Sequence, residues 1–103
     1  MLCRPTTLPD GSVRSPTGAV LRRMPRTLTR RECDELVRAG APLMTDVYPD
    51  GLLWWDGEDA LARWAEVSPL VVRRRLPSVH EGWIAHVWDS DDGDRALHLT
   101  GWH

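Results

Sequence analysis

The stretch that decides the fold is WIAHVWDSDDGDRALHLT, residues 83–100, in which two alternating runs flank an Asp- and Gly-rich centre. A three-residue loop at residues 91–93 pairs Ser90 with Asp94 and puts only apolar side chains on one face of the hairpin. These side chains are Trp83, Ala85, Val87, Leu97 and Leu99. A slip of one residue would mix them with polar groups, so burial selects this register. Gly93 supplies the left-handed conformation that the loop requires.

On the other face of the hairpin, the same register places His86 directly opposite His98. Cross-strand neighbours have Cβ atoms about 5 Å apart, so the two imidazoles could share a metal ion or a proton. Two His are too few for a metal site, and a third ligand would have to come from His80, His103 or an acid such as Asp94. We therefore expect a half-covered polar sheet face, with a small enzyme or metal site as the alternative.

The acidic centre of the stretch does not match a calcium-binding EF-hand loop. Such a loop needs oxygen ligands at positions 1, 3 and 5, Gly at position 6 and Glu at position 12. Counting from Asp89, position 5 is Gly93, position 6 is Asp94 and position 12 is Thr100. The acids are interpreted as part of a turn, and no metal or other cofactor is predicted.

Residues 28–40, LTRRECDELVRAG, predict the first helix. Thr29 and Glu32 form a capping box, and Leu28 and Cys33 occupy the positions of a hydrophobic staple. Gly40 and the Ala-Pro that follows it end the helix. Cys33 is therefore expected to be a small core residue rather than a reactive thiol.

The second helix is predicted over GEDALARWAEV, with Asp56 as its N-cap and Ser68-Pro69 as its end. Its buried stripe is expected to contain Leu61, Trp64 and Ala65.

Three further segments predict strands and turns. Residues 19–24 and 70–76 indicate strands, although Ser68-Pro69 could instead start a short helix. Residues 48–51, Tyr-Pro-Asp-Gly, are typical of a hairpin loop, and Trp54 and Trp55 after them should point to opposite faces of a strand.

Together these elements predict an α+β fold with an antiparallel sheet of about five or six strands. Two helices pack on one face, in the order β-α-β-β-α-β-β-β. Residues 1–18 are expected to form an N-terminal arm or loose hairpin, and residues 19–103 a single α+β domain.

The composition fits one small globular domain of 103 residues with six Trp, one Tyr and no Phe. All thirteen basic residues are Arg. Residues 1–40 hold eight Arg against four acids and residues 41–103 hold five against eleven, so we expect ion pairing between the two parts. No apolar leader or membrane-length segment occurs, and the two Cys form no disulfide framework. A soluble cytoplasmic protein is expected.

The leading functional hypothesis is a small protein-binding module without catalytic activity, because Trp and Arg are enriched at interfaces and no catalytic motif is found. The residues expected to make contact are Trp54, Trp55, Arg73, Arg74, Arg75, Trp88 and Trp102. The partner would be another protein or a second copy of the chain, and no membrane is involved. Arg73–Arg75 have a competing interpretation as charges that protect a sheet edge.

A third hypothesis is contact with nucleic acid through an N-terminal cluster of arginines. Its members are Arg22, Arg23, Arg26, Arg30 and Arg31. A net charge of −2 disfavours this function, since nucleic-acid-binding domains are usually basic.

Overall fold

A computed structural model describes residues 4–47 and 51–102. Its strands are β1 (Thr6–Thr7), β2 (Val13–Arg14), β3 (Val20–Thr27), β4 (Leu43–Asp46), β5 (Leu52–Trp55), β6 (Val71–Val72), β7 (Gly82–Asp89) and β8 (Arg95–Trp102). The helices are α1 (Arg30–Arg38) and α2 (Gly57–Val67), and a 3₁₀ turn, Ser68–Leu70, connects α2 to β6. The fold class is α+β, as predicted. From β3 onward the elements follow the predicted order.

The eight strands of the described residues form one sheet in the order β1-β2-β3-β7-β8-β4-β5, with β6 also paired to β7. The prediction of five or six antiparallel strands was wrong in two respects. The short strands β1 and β2 extend the sheet, and β4 pairs with β8 and β6 with β7 in parallel. Two parallel strands cannot be joined by a tight turn, so no local turn in the sequence indicates these pairs.

The β7–β8 hairpin has the predicted register. Val87 lies opposite Leu97 and His86 opposite His98. The Ser90 amide donates to the Asp94 carbonyl at 2.8 Å across the loop. Gly93 has φ +89°, so the loop takes the left-handed conformation that only Gly adopts without strain. Hydrophobic alternation and one Gly were sufficient to set this register.

Both helices pack on one face of the sheet, called here the helix face. Its buried cluster joins side chains of α1 and α2 to the apolar stripe of the hairpin. The cluster contains Leu28, Cys33, Val37, Leu43, Ala60, Trp64, Val67, Val71, Trp83, Ala85, Val87, Leu97 and Leu99. Cys33 is fully buried, as predicted, and burial together with the charge of Glu32 raises the pKa of its thiol to about 12.

Helix α1 begins with the predicted capping box. The Glu32 amide donates to Thr29 Oγ1 at 3.2 Å, and the Thr29 amide donates to Glu32 Oε1 at 3.0 Å. These two bonds satisfy amides that have no partner inside the helix. At the other end, the Gly40 amide donates to the Val37 carbonyl at 3.0 Å.

Helix α2 begins after Asp56, as predicted, but the Asp56 side chain makes no capping hydrogen bond. The predicted stripe was wrong in phase, because Leu61 is 46% exposed. The buried side chains of α2 are Ala60, Trp64 and Val67. Both sets have helical spacing and share Trp64, so the position of the sheet, rather than periodicity, decides which face is buried.

The other face of the sheet, called here the inner face, carries a second buried cluster of Val13, Leu21, Met44, Trp54, Trp88 and Ala96. Val13 on β2 and Trp54 on β5 belong to opposite ends of the strand order. Their presence in one cluster shows that the sheet curls towards its inner face. Trp54 and Trp55 point to opposite faces, as predicted, since Trp55 packs against the helix-face cluster.

Two other predicted segments have different outcomes. The strand predicted over residues 70–76 is reduced to β6, because a 3₁₀ turn occupies Ser68–Leu70 and the chain leaves the sheet after Val72. The turn predicted at residues 48–51 falls largely on residues 48–50, outside the described residues. The strands that it joins, β4 and β5, pair antiparallel. Within residues 4–47 and 51–102, neither helix combines the length and apolar character needed to cross a membrane.

Candidate functional site

The inner face carries a row of polar side chains at one side of its buried cluster. Thr27 on β3 lies opposite His86 on β7, His86 lies opposite His98 on β8, and His98 lies beside Met44 on β4. Because these residues are in register, their side chains leave the sheet on the same face. The predicted His86–His98 pair is therefore part of a longer row.

His98 is held by a carboxylate from the parallel strand β4. Its Nε2 atom is 2.9 Å from Asp46 Oδ1, and since an ionised carboxylate only accepts, the hydrogen belongs to Nε2. The ring of His98 also meets the Trp88 indole edge-on, with centroids 5.7 Å apart. Two contacts thus fix the orientation of the His98 ring. Its Nδ1 atom is buried without a partner among the described residues.

His86 occupies a different environment from His98. The pKa of His86 is lowered, chiefly by burial and further by the positive charge of Arg23 and by His98. The ring is therefore neutral at physiological pH. Its Nδ1 atom is buried with no partner in residues 4–47 and 51–102, which leaves Nε2 as the atom that can meet a ligand.

A bulge in β3 opens a groove beside His86. Arg23 pairs with Trp88 but Thr27 pairs with His86, so four steps along β3 match two steps along β7. Pro25 lies within this irregularity, where a residue without an amide hydrogen is tolerated. The resulting groove has a volume of about 540 Å³ and is lined by Arg23, Met24, Pro25, Arg26, Thr27 and His86. It is called the β3 groove below.

The charge of the β3 groove is positive. Arg26 is neutralised in part by Glu32, with Nη1 3.0 Å from Oε2. Arg23 forms no ion pair with the described part of the chain. A smaller depression of about 240 Å³, lined by Asp10, Gly11, Ser12, Arg22 and Arg23, adjoins the groove at Arg23. An unpaired guanidinium beside a neutral imidazole suits an anionic ligand with oxygen acceptors.

The same charge argues against a metal ion between the two His. A cation near His86 would be repelled by Arg23. Among the described residues, no group of three or more His, Cys, Asp or Glu has the geometry to hold a metal. His103, considered as a third ligand, lies outside the described residues. His80 and Asp94 are exposed and neither contacts the pair by a hydrogen bond.

The residues predicted to form a protein interface divide into two groups. Trp54, Trp88 and Trp102 are buried, at 7%, 7% and 9% exposure, and their indoles are core side chains rather than exposed anchors. Trp55 is half-buried, with the Arg63 guanidinium 5.4 Å from its ring centroid. Arg73, Arg74 and Arg75 are exposed, and the Arg75 guanidinium carbon is 5.9 Å from the centroid of the Trp102 ring.

The N-terminal arginines are mostly engaged within the chain. Arg22 pairs with Asp91 at 3.7 Å and Arg31 with Glu35 at 3.5 Å. Arg30 donates to the carbonyls of Pro69 and Val71, both at 3.2 Å. Of the arginine–carboxylate pairs in the described residues, only Arg22–Asp91 links residues 1–40 to residues 41–103. The expectation of pairing between the two parts is therefore met by one pair, and the other five pairs join residues no more than six positions apart.

Sequence reasoning missed Asp46 and the β3 groove. Asp46 reaches His98 only through the parallel β4–β8 pairing, for which the sequence contains no local signal. The bulge did have a signal, since Pro25 interrupts the strand pattern of VLRRMPRT. Comparisons with protein-family models, with curated proteins and with solved structures give no significant match for this chain.

Proposed function

We propose that this protein is a small binding module, without catalytic activity, that recognises an acidic segment of a protein partner in the β3 groove. The observation that carries the proposal is Arg23, an arginine without an ion pair in the described residues that lines a groove of about 540 Å³. Its guanidinium would bind a carboxylate through paired N–H donors. His86, at the same groove, would add a hydrogen bond from Nε2.

The charge arrangement favours a protein segment over nucleic acid. A nucleic-acid surface needs several free cations along a path, because affinity comes from many phosphate contacts. Arg22, Arg26, Arg30 and Arg31 already have partners within the chain. Arg23 therefore supports recognition of a short acidic segment rather than of a phosphate backbone.

The expected Trp anchors are not part of the proposed contact, because Trp54, Trp88 and Trp102 support the fold from inside. Arg73–Arg75 remain a second exposed basic surface. Arg73–Arg75 line neither the β3 groove nor the depression that adjoins it, and their charges also fit the protection of an exposed chain segment. The two arginine surfaces can be separated by mutation.

The proposal is tested by isothermal titration calorimetry with a peptide of about eight Asp residues, blocked at both ends. We expect saturable binding by the natural chain and a loss of at least about tenfold in affinity for Arg23→Ala, the effect typical of a charge-assisted contact. Arg23→Lys should recover only part of the affinity, since an ammonium cannot form the paired contact.

Arg74→Ala is the matched control, because it removes an exposed arginine outside the β3 groove. If this variant and the natural chain bind the peptide with equal affinity, the result would support binding in the β3 groove. Loss of affinity in Arg74→Ala with no loss in Arg23→Ala would transfer the binding site to residues 73–75. An absence of binding to the acidic peptide, with tight binding to single-stranded DNA that weakens as salt rises, would replace this function by nucleic-acid contact.

A further inference from the structure

We propose that the β3 groove takes up a proton together with its acidic ligand, and that His86 is the group that receives it. The affinity for the ligand then rises as the solution is acidified. This inference rests on the proposed function. The inference adds a regulation by pH to that function: the protein retains its partner at mildly acid pH and releases the partner at neutral or basic pH.

The geometry places His86 where a ligand changes its surroundings most. It lines the groove together with Arg23 and Arg26, so a carboxylate bound there would lie against the imidazole. In the free chain the charged form of His86 is disfavoured by burial and by Arg23. A bound carboxylate offsets these effects, because it neutralises Arg23 and provides a negatively charged acceptor for a protonated Nε2.

The charged groups around His86 are few and can be named for each neighbouring strand. From β3 they are Arg23 and Arg26, the latter paired with Glu32. From β8 it is His98, whose Nε2 is already bonded to Asp46 on β4. Strand β6 contributes only Val71 and Val72. No carboxylate of the described residues makes a hydrogen bond or ion pair with His86, so a ligand is the group that can stabilise its charge.

The direction of the pH effect follows from the two states of His86. Its pKa is lowered from 6.5 in the free chain, and it is higher in the complex because the ligand is negative. Binding therefore takes up a proton over the interval between these two values, and affinity increases as pH falls through that interval. The Asp side chains of the test peptide stay ionised above about pH 5, since their usual pKa is about 3.9.

The test is calorimetric titration of the full chain with the same Asp peptide between about pH 5.5 and about pH 8. We expect affinity about tenfold higher at the acid end, the effect of one opposite charge at close range. His86→Gln should bind with the low affinity of the basic end at every pH. His80→Ala, which removes an exposed imidazole outside the groove, should keep the full pH dependence.

The outcomes separate the two proposals. Absence of binding at all pH values would overturn the proposed function itself. Binding that does not vary with pH, or a pH dependence that persists in His86→Gln, would leave the function standing and overturn the role of His86. Should His86→Gln fail to fold, NMR titration of the His86 ring in the natural chain decides the matter. The pKa of His86 must rise when the peptide is added, and an unchanged pKa refutes the proposal.

Discussion

Replacement of Gly82 by Ala should destabilise the protein through a collision with Trp102. The two residues are opposite each other at the end of the central hairpin, and the indole of Trp102 lies over the bare backbone of Gly82. A Cβ atom added to Gly82 would be 2.7 Å from Trp102 Cζ2 and 2.8 Å from Cη2. Carbon atoms do not approach so closely, so either the ring or the strand must move.

The size of the effect depends on what holds the ring. Trp102 Nε1 donates to the Val79 carbonyl at 3.0 Å, and the Arg75 guanidinium is 5.9 Å from the ring centroid. Displacement of the ring would cost the hydrogen bond, about 0.5–1.5 kcal/mol, and the cation–π contact, about 0.5–1 kcal/mol. Ala in place of Gly in a strand returns about 0.5–1 kcal/mol. Taken at mid-range, these contributions give a net loss in the free energy of unfolding of about 1 kcal/mol.

The measurement is urea unfolding followed by circular dichroism, with the slope of the transition compared between variants. A lower melting temperature, by about 4–8 °C, should accompany the loss for a domain of this size. Gly101→Ala is the matched control, because its Cβ would be 3.0 Å from Trp83 Cζ3 and the overlap is smaller. The reasoning is refuted if Gly82→Ala equals the natural chain in stability, or if its cost persists when Trp102 is replaced by Leu.

Three further outcomes test other parts of the fold. The Thr29 amide is the main cause that lowers the pKa of Glu32 from 4.5 to about 2, so the contribution of Glu32 to stability is complete above about pH 4.5 and is lost as pH falls towards 2. In Glu32→Gln the melting temperature should therefore vary less with pH over this interval. A pH profile equal to that of the natural chain would contradict the capping role. Leu61→Ala should alter the free energy of unfolding by less than about 0.5 kcal/mol, while Val67→Ala should lower it by about 1.5–2.5 kcal/mol. A lower urea midpoint for Leu61→Ala than for Val67→Ala would mean that Leu61 belongs to the buried side of α2. Gly93→Ala should lower the free energy of unfolding by about 1–2 kcal/mol in the same assay, because the φ of +89° at Gly93 is unfavourable for residues with a Cβ. If the variant is as stable as the natural chain, the loop has another conformation.

The parts of the fold that could be predicted are those with local causes. The capping box of α1 involves residues three apart, and the β7–β8 register follows from alternation on both sides of one Gly. The row containing His86 and His98 came from the same local reasoning. In each case the sequence offers few competing arrangements that bury the same side chains.

The parts that could not be predicted depend on distant contacts. The burial of Trp88 and Trp102 follows from the curl of the sheet and from the chain segment that contains Val79, neither of which has a sequence pattern. The phase of α2 depends on the sheet beneath it. Asp46 meets His98 across 52 positions of sequence. Periodicity identifies the sets of apolar side chains that can share one face of a helix or strand. More than one such set is large enough to contribute to a core, and tertiary packing selects among them.

The strand order has a consequence for synthesis on the ribosome. β7 and β8 are in the middle of the sheet, yet they follow the other six strands in the chain. Strands β1 to β3 can pair among themselves as they emerge, and so can β4 and β5, but backbone pairing connects these two units only through the central hairpin. Until residues 82–102 are available, β3 and β4 each expose an edge that a neighbouring nascent chain could occupy. A chain interrupted before Gly82 would therefore contain the three-stranded β1–β3 unit, the β4–β5 hairpin, β6 and both helices, with no strand to pair the two units.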